Sequence, residues 1–228
     1  MDITKRLQEL DPTLVLHNEG NWSVPLDANK VGFTSFNDAG LCTEDGEFLY
    51  ALARILKPDN ILETGTHIGV GASYMGMALK DNKKGHLDTI EFLPNIHYQA
   101  VKRINDLGLS DIVTCHFGDA AKFSPKEGVQ YQLILLDTEP QTRFGEAVRF
   151  VGNLAAGGFV FIHDLHRSMC QGNVNPDHPD IPSWPFGDLP EEIKQWVKED
   201  KLRPFHFATP RGLTGFYKVH PDDHKWEK

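Results

Sequence analysis

Short apolar runs that end on or near an acidic residue, alternating with amphipathic stretches, constrain this chain more than any other feature. The runs are Asn60–Glu63, His86–Glu91, Asp111–His116, Tyr131–Asp137 and Gly158–His163, and the acids at their ends are Glu63, Glu91, Asp119, Asp137 and Asp164. Strand-sized segments separated by helix-sized ones are the signature of βαβ units and a parallel sheet. The helix-period segments are the stretch after Thr43, with Phe48, Leu49, Leu52, Ile55 and Leu56 on one stripe, then Gly71–Lys80, Asn95–Leu107, Gln141–Leu154 and Glu191–Glu199. Two last runs, Pro204–Ala208 and Thr214–Val219, suit an antiparallel pair at a sheet edge. The expected fold is therefore α/β: a Rossmann-like doubly wound sheet, mostly parallel, with an antiparallel edge hairpin at the C-terminus and helices on both faces.

A chain of 228 residues with 40% hydrophobic and 24% charged residues can bury a large core, and one domain is the expectation. Its segments read as an N-terminal lid or substrate segment (1–42, with Trp22, Phe33 and Phe36), a core (43–164), an active-site loop (165–190, with Trp184 and Phe186) and a C-terminal helix with antiparallel strands (191–228). A net charge of −9 argues against a phosphate-backbone binder, which needs clustered Lys and Arg, so no nucleic-acid partner is expected. The apolar runs are far below the roughly 20 residues of a membrane span, and the N-terminus has no apolar signal core. The three cysteines, Cys42, Cys115 and Cys170, lack paired spacing, which suits a reducing cytosol. A cytoplasmic protein without a membrane partner is expected.

The most informative segment runs from Ile61 through Glu63, Gly65, Thr66, Gly69 and Gly71 to Ser73: a strand, a glycine-rich turn and a helix start. Glycines let backbone approach a ligand closely, and the first turn of the helix offers free N–H donors. Two resemblances share this loop. Thr64-Gly65-x-x-x-Gly69-x-Gly71 resembles the glycine pattern of short-chain dehydrogenases, and Tyr98-x-x-x-Lys102 mimics their Tyr/Lys pair. That pair comes too early after the loop, however, and some 60 residues precede a loop that opens the chain in those enzymes. An NAD(P)-dependent oxidoreductase is thus the runner-up.

Glu63-x-Gly65-x-x-x-Gly69-x-Gly71 more closely resembles the first motif of class I S-adenosylmethionine-dependent methyltransferases, especially the catechol O-methyltransferase-like small-molecule group. The resemblance continues in order through Glu91, the segment Phe117-Gly118-Asp119-Ala120, the strand ending at Asp137, and Gly157-Gly158 to Asp164. It implies S-adenosylmethionine as cofactor, with Glu63 near the methionine ammonium, Glu91 on the ribose hydroxyls, Asp119 and Ala120 at adenine, and Asp137 beside the reacting methyl. The loop residues Gly65, Thr66, Gly69, Gly71 and Ser73 would complete that site.

By the same resemblance Asp137 and Asp164 would hold Mg²⁺ or another divalent cation, a choice that hard carboxylate oxygens favour. The Asn that follows the second acid in related enzymes is replaced here by Leu165. His163-Asp164-Leu165-His166 also resembles the arrangement in macrocin-type sugar O-methyltransferases, which implies His166 as the base that takes the hydroxyl proton and Asp137 as its catalytic companion. His163 would pack beneath the site or take a place in the metal shell. The resulting expectation is methyl transfer to a hydroxyl oxygen of a small molecule. A non-catalytic module keeping the cofactor pocket stays open, and so does a homodimer, since related enzymes are often dimers.

Overall fold

Ile61, Leu62, Leu133–Leu136 and Val160–Ile162 are all fully buried, so both faces of the strands that carry them need cover. The chain supplies it by alternating strands and helices. The computed structural model describes residues 2–12, 41, 43–163, 189–207 and 213–223. In order, the elements are α1 (Ile3–Leu10), α2 (Thr43–Leu56), β1 (Asn60–Thr64), α3 (Val70–Asn82), β2 (His86–Glu91), α4 (Pro94–Asp106), β3 (Val113–Phe117), β4 (Tyr131–Leu136), α5 (Pro140–Phe150), β5 (Leu154–His163), α6 (Glu191–Lys198), β6 (Leu202–Phe207) and β7 (Leu213–Lys218).

Among the described residues, seven strands lie in the order β3-β2-β1-β4-β5-β7-β6. Strands β1 to β5 run parallel, and β7 pairs antiparallel with both β5 and β6. The two-residue period of the strands divides the core. Ile61, Leu133, Leu135 and Phe161 face a cluster built with α1–α4, whereas Leu62, Ile134, Leu136, Val160 and Ile162 face one built with α5 and α6. The expected doubly wound sheet, with its antiparallel edge and two helical layers, is borne out. Strand order reverses between β1 and β4, which opens a crevice at their carboxyl ends.

Some boundaries shift. Helix α5 ends at Phe150, four residues earlier than its apolar period suggests; a single 3-10 turn (Val151–Asn153) follows, and β5 begins at Leu154 instead of Gly158. Gly157 and Gly158 look like strand breakers, but β5 runs through them with a register shift against Tyr131 and Leu133, and Gly157 takes φ +78. Strand β3 starts two residues later than expected, at Val113. Pro204 sits inside β6, at the sheet edge where a missing N–H is tolerated. Cys115 lies in β3 as expected, and burial pushes its thiol up to about 12, an unreactive state. Among the described residues no helix is long and apolar enough to cross a membrane.

One buried ion pair ties the N-terminal helix to the glycine loop. Arg103 of α4 donates from Nε to Asp11 Oδ2 at 2.8 Å and from Nη1 to the carbonyl of Ile68 at 2.5 Å. Both side chains are nine-tenths buried. Removing one partner takes a buried counter-charge from the other, and for such pairs the loss is typically about 3 kcal/mol. Arg103→Ala is expected to lower stability by that amount in thermal or denaturant unfolding; a change below about 0.5 kcal/mol, as for exposed pairs, would contradict this role.

Candidate active site at the strand tips

The crevice is built around β1. Beyond its end, Gly65 and Thr66 both donate N–H bonds to the carbonyl of Ile90 (2.9 and 3.1 Å), while Asp137 N–H bonds the carbonyl of Thr64 (2.8 Å). The loop is thereby clamped between β2 and β4. Gly65 has φ +80, and a Cβ there would stand 2.3 Å from the Asp137 carbonyl oxygen, so only glycine fits. Gly69 begins α3 in a left-handed conformation with no side-chain cap, leaving the first-turn N–H groups as donors. A Cβ on Gly71 would meet Glu63 Oε1 at 2.2 Å.

Glu63 therefore lies directly under the helix start, and it is almost wholly buried. Its Oε2 accepts a 2.6 Å bond from Thr89, whose hydroxyl lies 2.5 Å from that of Thr66. Burial pushes the Glu63 carboxyl up to about 8; the Thr89 bond opposes the shift, and the charges of Asp137 and Glu91 add to it. Three carboxylates thus share one low-dielectric region, a setting that favours a cationic ligand.

Glu91, at the end of β2, accepts N–H bonds from His67 (2.8 Å) and Leu93 (2.9 Å). It fixes the glycine loop, including His67 with φ +47, a conformation unusual for a residue other than glycine. Ser73 is fully buried and donates to the Gly69 carbonyl at 2.6 Å. Asp119 follows β3 and accepts from the N–H of Ala121 (2.9 Å), with Lys122 at 3.5 Å; its side chain is half-exposed, whereas Ala120 is buried.

At the β4 tip the arrangement is denser than the sequence suggested. Asp137 Oδ1 accepts from His163 Nδ1 at 2.9 Å and lies 3.1 Å from Arg143 Nη2. His163 is fully buried, and its Nε2 lies 3.3 Å from Oδ2 of Asp45, equally buried in the first turn of α2. Glu146 closes the underside by accepting from Thr64 (2.7 Å) and Thr138 (2.8 Å). Glu63, Gly65, Thr66, Gly69, Gly71, Glu91 and Asp137 are thus brought to one crevice. Asp164 and His166 lie outside the described residues, as do Trp22, Phe33, Phe36, Trp184 and Phe186.

The divalent cation expected at Asp137 and Asp164 fits the described part of this arrangement poorly. One of the two Asp137 oxygens, Oδ1, already faces a guanidinium and an imidazole, and among the described residues no three His, Cys, Asp or Glu side chains converge as ligands. Tyr98 and Lys102, the dehydrogenase-like pair, stand exposed on α4, with Lys102 paired to Asp106. A cavity of about 370 Å³ lined by Trp196, Leu202, Lys218 and His220 lies at the opposite end of the sheet and takes no part in this site. Asp45, Thr89, Arg143 and Glu146 escaped the sequence reading. Thr89 stands opposite Glu63 only through the β1–β2 register, and Asp45 meets His163 across 118 residues of chain.

Residues 62–165 match a family model described as a methyltransferase domain. The chain is 32% identical over 123 residues to a catechol O-methyltransferase of Niastella koreensis, covering 52% of this chain and 54% of the relative, so it spans about half the length of that relative. Among solved structures, an O-methyltransferase of Streptomyces achromogenes involved in tomaymycin synthesis, in complex with SAM, superposes with TM-score 0.63 at 18% identity, over 96% of this chain and all of the other. An O-methyltransferase of Bacillus cereus in complex with SAH gives TM-score 0.64 at 18% identity with the same coverage. The resemblance to class I S-adenosylmethionine-dependent methyltransferases is borne out, and the dehydrogenase reading is not favoured.

The Glu63 carboxyl leads to a prediction that needs no ligand. In the folded chain it keeps its proton up to about pH 8, whereas in the unfolded chain it ionises near 4.5. The folded state therefore binds the extra proton between these values, and its stability falls as pH rises through that window. Glu63→Gln, neutral throughout, should unfold like the parent near pH 4.5 and be more stable by roughly 2–4 kcal/mol at pH 8.5. Denaturant unfolding at the two pH values reads this, and a gap that does not change with pH would contradict it.

Proposed function

We propose that this chain transfers the methyl group of S-adenosylmethionine to a hydroxyl oxygen of a small molecule. The observation that carries the reading is Glu63, buried beneath Gly71 at the uncapped start of α3 and grouped with Glu91 and Asp137. Helix N–H donors suit the methionine carboxylate, and neighbouring carboxylates suit the ammonium and the sulfonium. In this reading Gly65, Thr66, Gly69 and Gly71 present backbone to the cofactor, and Ser73 holds the turn in shape. Glu91 accepts the ribose hydroxyls with the lone pairs that His67 and Leu93 leave open, and Asp119 and Ala120 border the adenine.

S-adenosylmethionine supplies a methyl group that is already activated, so the chain's task is alignment and proton removal. The acceptor oxygen forms its bond to the methyl carbon as the carbon–sulfur bond breaks, the electron pair staying on sulfur. The hydroxyl proton goes to His166. Asp137 faces the reacting centre from the β4 tip, and no step is assigned to a divalent cation. The chain is read as a single domain, 1–228, with 1–42 and 165–190 as its substrate segments. The named catechol and tomaymycin-synthesis relatives support oxygen as acceptor atom and a small molecule as substrate.

The test is calorimetry with S-adenosylhomocysteine, NADP as control, and a radiolabelled methyl-transfer assay over catechol-like diols and sugar hydroxyls. S-adenosylhomocysteine should bind and NADP should not. Glu91→Ala should weaken that binding about 10- to 100-fold, the worth of one or two charge-assisted hydrogen bonds. Asp137→Asn should keep binding within a few-fold while removing turnover. Binding of NADP alone would overturn the reading.

A further inference from the structure

We infer that the resident cation of the β4 tip is Arg143: its guanidinium takes the electrostatic place of a divalent metal ion beside Asp137, and this chain works on its hydroxyl substrate without one. The inference rests on the methyltransferase reading and deepens it.

Arg143 rises from the first turns of α5, six residues beyond Asp137, and its side chain is 5% exposed. Each of its three nitrogens has a separate anchor. Nη2 lies 3.1 Å from Asp137 Oδ1, Nε donates to the Thr138 carbonyl at 2.6 Å, and Nη1 donates to the carbonyl of His163. The planar fork is thus fixed to the turn after β4 and to the tip of β5 together, a geometry that the flexible ammonium of lysine does not reproduce. His163 Nδ1 meets the same Asp137 oxygen at 2.9 Å, so that oxygen faces both an imidazole and a guanidinium. Nε2 of that imidazole lies 3.3 Å from Asp45, so the ring is held from behind.

A divalent ion on Asp137 Oδ1 would compete with two nitrogen groups, and on either oxygen it would sit a few ångström from a permanent positive charge in a buried setting, where repulsion is strong. The carboxylates at this end each have their own partner: Asp137 has Arg143, Asp45 faces His163, and Glu146 accepts from Thr64 and Thr138. Arg143 is a positioning residue: it acts through Asp137, whose carboxylate it aims at the crevice.

Mn²⁺ electron paramagnetic resonance titration, run with S-adenosylhomocysteine present, tests this. The unaltered chain should leave Mn²⁺ free, and its affinity for S-adenosylhomocysteine should be the same in EDTA. Arg143→Ala should bind Mn²⁺ at least about tenfold more tightly than the parent, as loss of an adjacent positive charge requires. Arg143→Lys, which keeps the charge, should stay metal-free, and Asp137→Asn added to Arg143→Ala should abolish the acquired binding. Stoichiometric Mn²⁺ on the unaltered chain, lost in Asp137→Asn, would overturn the inference even if Arg143→Ala does not fold. A folded Arg143→Ala that binds no Mn²⁺ would overturn it as well. Failure of S-adenosylhomocysteine to bind the unaltered chain would instead remove the underlying methyltransferase reading, whatever Mn²⁺ does.

Discussion

The crevice depends on how closely β1 and β4 approach at their carboxyl ends. Asp137 N–H bonds the Thr64 carbonyl, and the Asp137 carbonyl occupies the space where a side chain on residue 65 would stand. With no Cβ, the chain turns at once from the strand into the loop, and that turn brings the start of α3 over Glu63. A larger residue would push the loop away from β4 and separate the carboxylates of β1 and β4. Strand order, glycine position and acid placement are therefore one constraint, because the strand order reverses where the backbones must nearly touch.

The electrostatics follow from that closeness. Glu63, Glu91 and Asp137 cannot all be ionised in a buried region without compensation, and the chain meets this in two ways. At β1 the burden falls on Glu63, which burial and its acidic neighbours keep protonated to about pH 8, with a threonine hydroxyl as partner. At β4 a guanidinium and an imidazole stand against Asp137. The first solution leaves a group that can release a proton when a cationic ligand arrives. The second is permanent, which makes the two halves of the crevice different in kind.

Much of this was legible in the sequence because it is local. Short apolar runs gave the strands, the Gly65-Gly69-Gly71 spacing gave the turn, and an acid on or near each run's end gave the rim of the crevice. Boundaries failed where tertiary pairing overrode a local signal: Gly157 and Gly158 look like breakers but lie inside β5 with a shifted register. The partners of the acids were not legible at all. Thr89 reaches Glu63 through a cross-strand register, and Asp45 reaches His163 through the packing of a helix that precedes the sheet. Arg143, six residues after Asp137, had a short-range position but no pattern to mark it, since a guanidinium on a helix is ordinarily a solvated one.

The chain before β1 is consequently part of the crevice and not an appendage to the core. Asp11, just past α1, holds Arg103, which in turn holds the Ile68 carbonyl within the glycine loop. Asp45, opening α2, backs His163 and through it Asp137. The two contacts reach opposite halves of the site from segments that a core of strands and helices alone would not require. Both are buried contacts to a carboxylate, which are stringent about geometry and lose most of their value when displaced. Burying them beneath the loop and the β4 tip makes the placement of residues 2–12 and 43–56 a condition for the shape of the strand tips. The acidic excess of the sequence thus has two parts: carboxylates that rim the crevice, and carboxylates such as Asp11 and Asp45 that hold its basic groups in place.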